Sequence, residues 1–533
     1  MTSGTSFRRR SMVLGGMAAT LPWRLAAAAG GPAAADSPAP RQMPPRSAHV
    51  GINLAGINYW TTEFPFADLM KNSGGLSLHD PKTAPLALRP DGYPVSLQPG
   101  QTVEAAVAWD STRYSTGKFV VVWEGDGELA FPLTTAKVAS RAPGRIVLDA
   151  TDNSGQMRVS IQRTNPADPV RNLRVLWPGT EATHANDAFN PVFLDRIAPF
   201  GTLRFMDWGA TNGSNVVRWA DRAKPTDVTF ATERGVALEV MIGLANRLQA
   251  NPWFCVPHQA DDDYVRQFAT LVRDRLDPRL VASIEYSNEV WNSGFAQARY
   301  AIEQAKRAGL PTPFGMGSIW HAERTRRILA IVDEVFGSAG RKRWLGILAA
   351  QSAWTQFGTD ALGWKDTASH VDVLAIAPYF KAASAADPAK MDATLALSPD
   401  AILEQMRASI RGEVRSQVSE NAKLASRYKL RLQGYEGGSH DTTFHFPADK
   451  QDAMTERMAS AHTSPRMREV YRDYWETWIA AGGDLLIQYS DIGKSSKWGF
   501  WSVLETVTQD PATAPKYQGM LDVIAAHPLA AAR

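Results

Sequence analysis

Short, almost unbroken apolar runs recur along this chain, each followed by a polar loop rich in aromatic residues. They are residues 50–57 (VGINLAGI), 202–206 (TLRFM), 237–243 (ALEVMIG), 281–286 (VASIEY), 344–350 (WLGILAA), 371–377 (VDVLAIA), 430–435 (LRLQGY) and 484–489 (DLLIQY). Runs with so little alternation suit strands buried on both faces, as in a parallel sheet. Helical periodicity lies between most of them. Segments 295–308 and 319–336 end at Gly309 and Gly337, where a helix C-terminus favours glycine. Segment 261–276 opens with three aspartates, which suit a helix N-terminus. Eight strand–helix units predict an α/β fold of the (β/α)8 TIM barrel type. A doubly wound sheet would need a glycine-rich phosphate loop after its first strand, where this chain has Asn58-Tyr59-Trp60.

One stretch breaks the alternation. Between residues 85 and 180 short alternating runs are punctuated by turn signals such as Gly125-Asp126-Gly127 and Asn153-Ser154-Gly155. This pattern predicts an antiparallel, β-sandwich-like domain. It falls inside the first βα loop, on the face of a barrel where active sites lie. The barrel would then be discontinuous, from residues 47–84 and 181–533.

Composition adds bounds. A chain of 533 residues with 44% hydrophobic and 21% charged residues builds a full core and is not disordered. Four arginines (8, 9, 10 and 24) and no acid lie in residues 1–35, so the formal charge of +3 becomes −1 beyond them. A near-neutral remainder argues against nucleic acid or an anionic membrane as partner. The basic, apolar and alanine-rich order of residues 1–35 predicts an export signal of twin-arginine type, hence a periplasmic or secreted protein with no membrane anchor once mature. Residues 36–46, rich in Pro and Ala, read as a linker. The single cysteine, Cys255, allows no intramolecular disulfide and reads as a small buried hydrophobe.

The candidate chemistry sits where the runs end. The fourth run leads into Glu285-Tyr286-Ser287-Asn288-Glu289-Val290-Trp291-Asn292, and the seventh into Gly434-Tyr435-Glu436-Gly437-Gly438-Ser439-His440. Glycoside hydrolysis needs two carboxyl groups flanking one bond, about 5–5.5 Å apart when configuration is retained. Glu289 and Glu436 on facing strand ends supply such a pair without metal or cofactor.

With these motifs the chain resembles retaining glycoside hydrolases of the large (β/α)8 clan (clan GH-A type, cellulase and β-glycanase-like), whose catalytic glutamates end strands four and seven. It is similar to bacterial proteins labelled as cellulose-binding or as uncharacterised hydrolases, and no single family is assigned. The resemblance implies that Glu289 is the acid/base and Glu436 the nucleophile. It implies that Asn288 binds the sugar 2-hydroxyl, that Arg204 keeps the nucleophile ionised, and that Tyr379 contacts it. A tryptophan commonly follows strand eight in that clan, and Trp498 and Trp501 are both candidates. Asp207 is a further candidate substrate contact. Glu285 reads either as pointing inward to pair with Arg204 or as a competing acid. Glu63, Asp491 and His440 read as rim-loop residues.

Trp60, Trp208, Trp291, Trp354 and Tyr379 all fall near predicted strand ends, where flat rings would stack on sugar faces. The implied partner is an oligo- or polysaccharide, cleaved at β-linkages. The alternative is a non-catalytic carbohydrate (cellulose)-binding protein on the same scaffold, and an inverting or lyase-type enzyme is a third reading. Other chemistries find no motif: there is no Gly-x-Ser-x-Gly, no phosphate loop and no His-Glu-x-x-His.

Overall fold

The computed structural model describes residues 44–80, 85–109, 113–383 and 388–529. The expected export signal (residues 1–35) and residues 36–43 of the expected linker lie outside the described residues. Eight parallel strands close into a barrel. In chain order they are Val50–Asn53, Thr202–Arg204, Asn251–Val256, Ala282–Tyr286, Trp344–Ala349, Val373–Ile376, Arg431–Gly434 and Leu486–Tyr489. Strand one pairs with both strand two and strand eight, placing Asn53 beside Arg204 on one side and Tyr489 on the other.

The third strand corrects the sequence reading. Residues 237–243 are not a strand, because they belong to the helix Leu238–Leu248. Its buried residues Leu238, Met241, Ile242, Ala245 and Leu248 recur at helical spacing and face the core as one stripe. The true third strand is Asn251–Val256, where a proline and a polar first residue mask the pattern. Cys255 lies within this strand. The other helical segments form where their patterns place them. Asp261 caps Asp262–Arg275 by accepting from Tyr264 N at 2.7 Å, and Ala296–Arg307 follows strand four. The helix from Ser318 breaks at Gly337, whose φ of 63° only glycine adopts without cost.

Inside the barrel, Trp253, Ile347, Ala349, Val373, Ala375, Tyr435 and Ile487 pack on one another. The lumen is thus a filled core rather than a pore. Between strands one and two lie two four-stranded antiparallel sheets. The first takes its edge strand from Ser77–Leu78, paired with Val103–Ala108. The second is built around Gly117–Glu124. Val103, Val159 and Ile161 of the first sheet and Phe119, Val121 and Leu148 of the second are buried in a core continuous with the helical shell. Backbone bonds tie the sheets to the barrel's first loop, with Trp177 N donating to Ala67 O at 2.8 Å. No helix among the described residues is long and apolar enough to cross a membrane.

The barrel wall is tightly packed at Gly51 of strand one. A Cβ there would meet Ile487 Cδ1 at 2.4 Å and the Thr202 carbonyl oxygen at 3.0 Å. Gly51→Ala is expected to lower the unfolding free energy by about 1–3 kcal/mol, the usual effect of overpacking, measured by chemical denaturation.

Candidate active site

The centre of the site is Arg204, the last residue of strand two, which is completely buried. Its guanidinium reaches two carboxylates. Nη1 donates to Glu436 Oε1 at 2.7 Å and Nη2 to Glu285 Oε2 at 2.9 Å. Nη2 also donates to Asn288 Oδ1 at 2.9 Å. The planar fork of arginine serves several acceptors at once, which a lysine would not. Below it, Trp253 Nε1 donates to the same Glu285 oxygen at 2.8 Å. Cys255 Sγ lies 3.4 Å from that oxygen, so the thiol is a half-buried donor to Glu285 rather than only a small hydrophobe. Burial and the Glu285 charge hold the thiol protonated, well above its usual range.

Strand four delivers its residues in two directions. Glu285 points inward to Arg204, while Tyr286 points into the helical layer and donates to His258 O at 3.1 Å. The chain then passes through left-handed backbone at Ser287 (φ 59°) and Glu289 (φ 42°). Two such residues without glycine within three positions make a tight, costly turn of the kind found at functional sites. The turn aims Asn288 at Arg204 and Glu289 at Tyr435. Gln297, on the next helix, holds it by donating to Asn288 O at 2.8 Å and to Asn212 Oδ1 at 2.7 Å.

The two glutamates have opposite surroundings. Glu436, only 5% exposed, takes hydrogen bonds on both oxygens, from Arg204 and from the Tyr379 hydroxyl at 2.8 Å. Burial raises its pKa, and the Arg204 charge and the Tyr379 bond pull against that rise. Among the described residues Glu289 has no cation in contact. It accepts from Tyr435 Oη at 3.2 Å and Asn292 Nδ2 at 2.9 Å. Burial, and then the negative charge of Glu436, push it up to about 7. Of this pair, Glu436 carries the charge and Glu289 the proton, because only Glu436 touches the guanidinium.

Other carboxyl groups ring the same mouth. Asn53, ending strand one, donates to Asp207 Oδ2 at 2.7 Å, and burial with the Glu436 charge raises Asp207 to about 7. Asp491 accepts from Ala55 N at 2.9 Å and is raised by burial to about 6. Glu63 is fully buried, and burial together with the Asp491 charge raises it well above the carboxylate range. Glu63 and Asp491 thus form a buried acid pair rather than ordinary rim-loop residues.

The aromatic candidates divide. Trp60, Trp354 and Trp498 are 54%, 37% and 59% exposed, and Trp498 stacks on Phe444 with ring centres 5.4 Å apart. Trp291 donates from Nε1 to Tyr435 Oη at 3.1 Å, so it braces the residue that holds Glu289. Trp208 corrects the reading of a substrate contact. It is entirely buried among Phe66, Phe193 and Phe205, so the side chain forms wall and offers no face to a ligand. Trp501 lies beside His440 and Tyr489, with ring centres 5.9 and 5.6 Å away. Sequence reasoning passed over Asn53, Asn212, Asn292, Gln297, Tyr435 and Tyr489. For Tyr435 and Tyr489 a signal existed, since each is a hydroxylated residue at the end of an apolar run, and Asn53 is the polar residue inside the first run. For Asn212 and Gln297 there was none, since both stand in loop or helix context far from any strand end.

No family model matches the chain, and no curated protein does. Among solved structures it is similar to a broad-specificity GH5-4 endoglucanase from Clostridium acetobutylicum, at 12% identity and TM-score 0.34, over 64% of this chain and 92% of that one. It is similar to the N-terminal CBM22-1–GH10 modules of a Clostridium thermocellum endo-1,4-β-D-xylanase complexed with xylohexaose, at 9% identity and TM-score 0.35, over 87% and 97%. It is also similar to xylanase 10B from Thermotoga maritima, at 8% identity and TM-score 0.33, over 63% and 90%. The fold assignment stands on the strand pairing itself.

A raised carboxyl pKa has a definite sign in stability. The folded state holds the Glu289 proton up to about pH 7, whereas the unfolded chain releases it near 4.5. The contribution of this group to stability is present at low pH and is lost as pH rises through that window. Glu289→Gln removes the loss. The variant is expected to gain stability relative to wild type steadily between pH 4.5 and 7, measured by denaturant titration at each pH; a pH-independent difference would contradict it.

Proposed function

We propose that this protein is an exported retaining glycoside hydrolase acting on β-linked glycans. The observation that carries the reading is the pair of glutamates at the ends of strands four and seven. One is held charged by Arg204 and Tyr379, and the other is held protonated near pH 7. Glu436 attacks the anomeric carbon with the oxygen pair oriented by those two donors. Glu289 gives its proton to the departing glycosidic oxygen. Once Glu436 is esterified its charge is gone, so the main electrostatic reason for the raised Glu289 pKa disappears. Glu289 is then a stronger acid, ionises, and takes a proton from the water that hydrolyses the glycosyl-enzyme.

Supporting groups follow from the same geometry. Asn288, fixed between Arg204 and Asn212, offers a polar group beside the nucleophile for a sugar hydroxyl. Asp207 offers an acceptor on the strand-two side. Trp60, Trp354 and Trp498 give exposed faces for sugars further along a chain. A pure binding protein has no use for a buried arginine dividing two glutamates into a charged and a protonated partner, and that division favours the enzyme. The export signal read in residues 1–35 supports an activity in the periplasm or outside the cell.

Glu436→Ala is expected to abolish release of reducing sugar from β-glucans, β-mannans, xylans and aryl β-glycosides, whichever of these wild type cleaves. Glu289→Ala is expected to lose about 10²–10⁴-fold on substrates with poor leaving groups. Azide should partly rescue it and yield a glycosyl azide of retained configuration. In wild type the alkaline limb of kcat/KM should fall near pH 7, where Glu289 loses its proton. Inverted product, or full activity in Glu436→Ala, would sink the assignment.

A further inference from the structure

Beneath the loop that carries Glu436 lies a buried amine that the mechanism does not use. Lys516, on the helix Pro515–Ala526, is 4% exposed, and no carboxylate lies within ion-pair distance of it among the described residues. Its ammonium donates to the Phe500 carbonyl and to Ser439 Oγ at 3.2 Å, and sits 5.8 Å from the centre of the Tyr471 ring. Burying an ammonium without an ion-pair partner is expensive, and a methionine would fill the same space at less cost. The position therefore calls for hydrogen-bond donors.

The acceptor Ser439 lies three residues after Glu436, and its neighbours are stitched to the loop after strand six. Phe380 N donates to Gly438 O at 3.0 Å, and His440 N donates to Phe380 O at 2.8 Å. Ala382 N donates to Asp441 Oδ1 at 2.9 Å, and His462 Nε2 meets Asp441 Oδ2 at 3.1 Å. Tyr379, next to Phe380 in this seam, is the residue whose hydroxyl donates to Glu436, and its ring packs 5.1 Å from that of His440. Lys516 thus pins the centre of a seam whose far end is the Tyr379–Glu436 hydrogen bond.

We infer that Lys516 is a positioning residue for the nucleophile: through Ser439 it holds the loop after strand seven against the loop after strand six and so keeps the Tyr379 hydroxyl on Glu436. This inference rests on the reading of Glu436 as nucleophile. The charged and titratable groups facing Lys516 are Asp441 from the strand-seven loop, Glu505 from the strand-eight loop, and His462 and Tyr471 from the two helices between those strands. Burial lowers the amine to about 7 against the pull of Asp441 and Glu505, and in either protonation state it keeps two hydrogens for its two oxygen acceptors. The groups facing Glu436 are Arg204, Tyr379, Glu285, Glu289, Asp207, Tyr435, Tyr489 and Cys255. Of these, Tyr379 alone is carried by the seam.

The test is the titration of the Glu436 carboxyl itself, followed by ¹³C NMR of protein labelled at glutamate Cδ and assigned by the resonance that vanishes in Glu436→Gln. Tyr379→Phe should raise its midpoint by up to about one pH unit, because a donor to the charged form is lost. Lys516→Met and Ser439→Ala should each raise it in the same direction and by less. Neither should add to the shift when combined with Tyr379→Phe, since both act through that hydroxyl. A midpoint unchanged in both variants, or shifts that add in the combinations, overturns the inference. Ser439→Ala removes one oxygen and no charge, so it carries the test if Lys516→Met fails to fold and controls for the lost charge if it folds. Glycoside hydrolysis by wild type is assayed alongside. Hydrolysis with unshifted titrations defeats the Lys516 inference alone. Shifted titrations without hydrolysis of any glycoside uphold the hold on Glu436 and defeat the glycosidase reading.

Discussion

Arg204 is completely buried, and two carboxylates converge on it from the ends of strands four and seven. Such an arrangement is stable only as a whole. Each charge costs several kcal/mol to desolvate, and each is tolerable only while its partners remain in place. The guanidinium lies over the Tyr435 ring, 5.2 Å from its centre, and the Trp253 indole and Cys255 thiol complete the shell of Glu285. Strands two, three, four and seven therefore meet at one cation. The register of the barrel and the position of Glu436 are two results of one electrostatic constraint.

That constraint separates the two glutamates. A carboxylate bonded to a guanidinium and a phenol is ionised; one buried beside that negative charge, with only neutral donors, keeps its proton. Neither property belongs to glutamate as a residue. Both follow from which side of Arg204 the strand end falls. Tyr435 adds to the separation from the backbone outward, since it precedes the charged residue in sequence while its hydroxyl binds the protonated one. The surrounding acids, Asp207, Asp491 and Glu63, extend the same low-dielectric, negatively biased mouth.

The two sheets between strands one and two belong to this picture through packing. Their buried faces share a core with the helical shell, and Asp68 at the junction accepts from both Met70 N and Val175 N. The first barrel loop, which carries Glu63 at one turn and Trp60 at another, is thereby held between barrel and sheets rather than left free.

Much of this was legible in the chain. Apolar runs with little alternation fix a buried parallel sheet, because strands covered on both faces have no polar side. The periodic segments between them require helices, and the chain could satisfy both only as a closed or doubly wound βα array. Glu289 and Glu436 stood out because polar residues at the ends of apolar runs must emerge at one rim. The third strand did not stand out. Its pattern, Asn251-Pro252-Trp253, is weaker than the neighbouring run at 237–243, which a helix buries equally well along one stripe. Local hydrophobicity cannot choose between the two. Three things were decided by the tertiary structure alone: the burial of Trp208, the turn that swings Asn288 onto Arg204, and the reach of Lys516 to Ser439 across 77 residues. Each depends on which elements become neighbours after the barrel closes. Side-chain pattern determines what must be buried, but only closure determines what it is buried against.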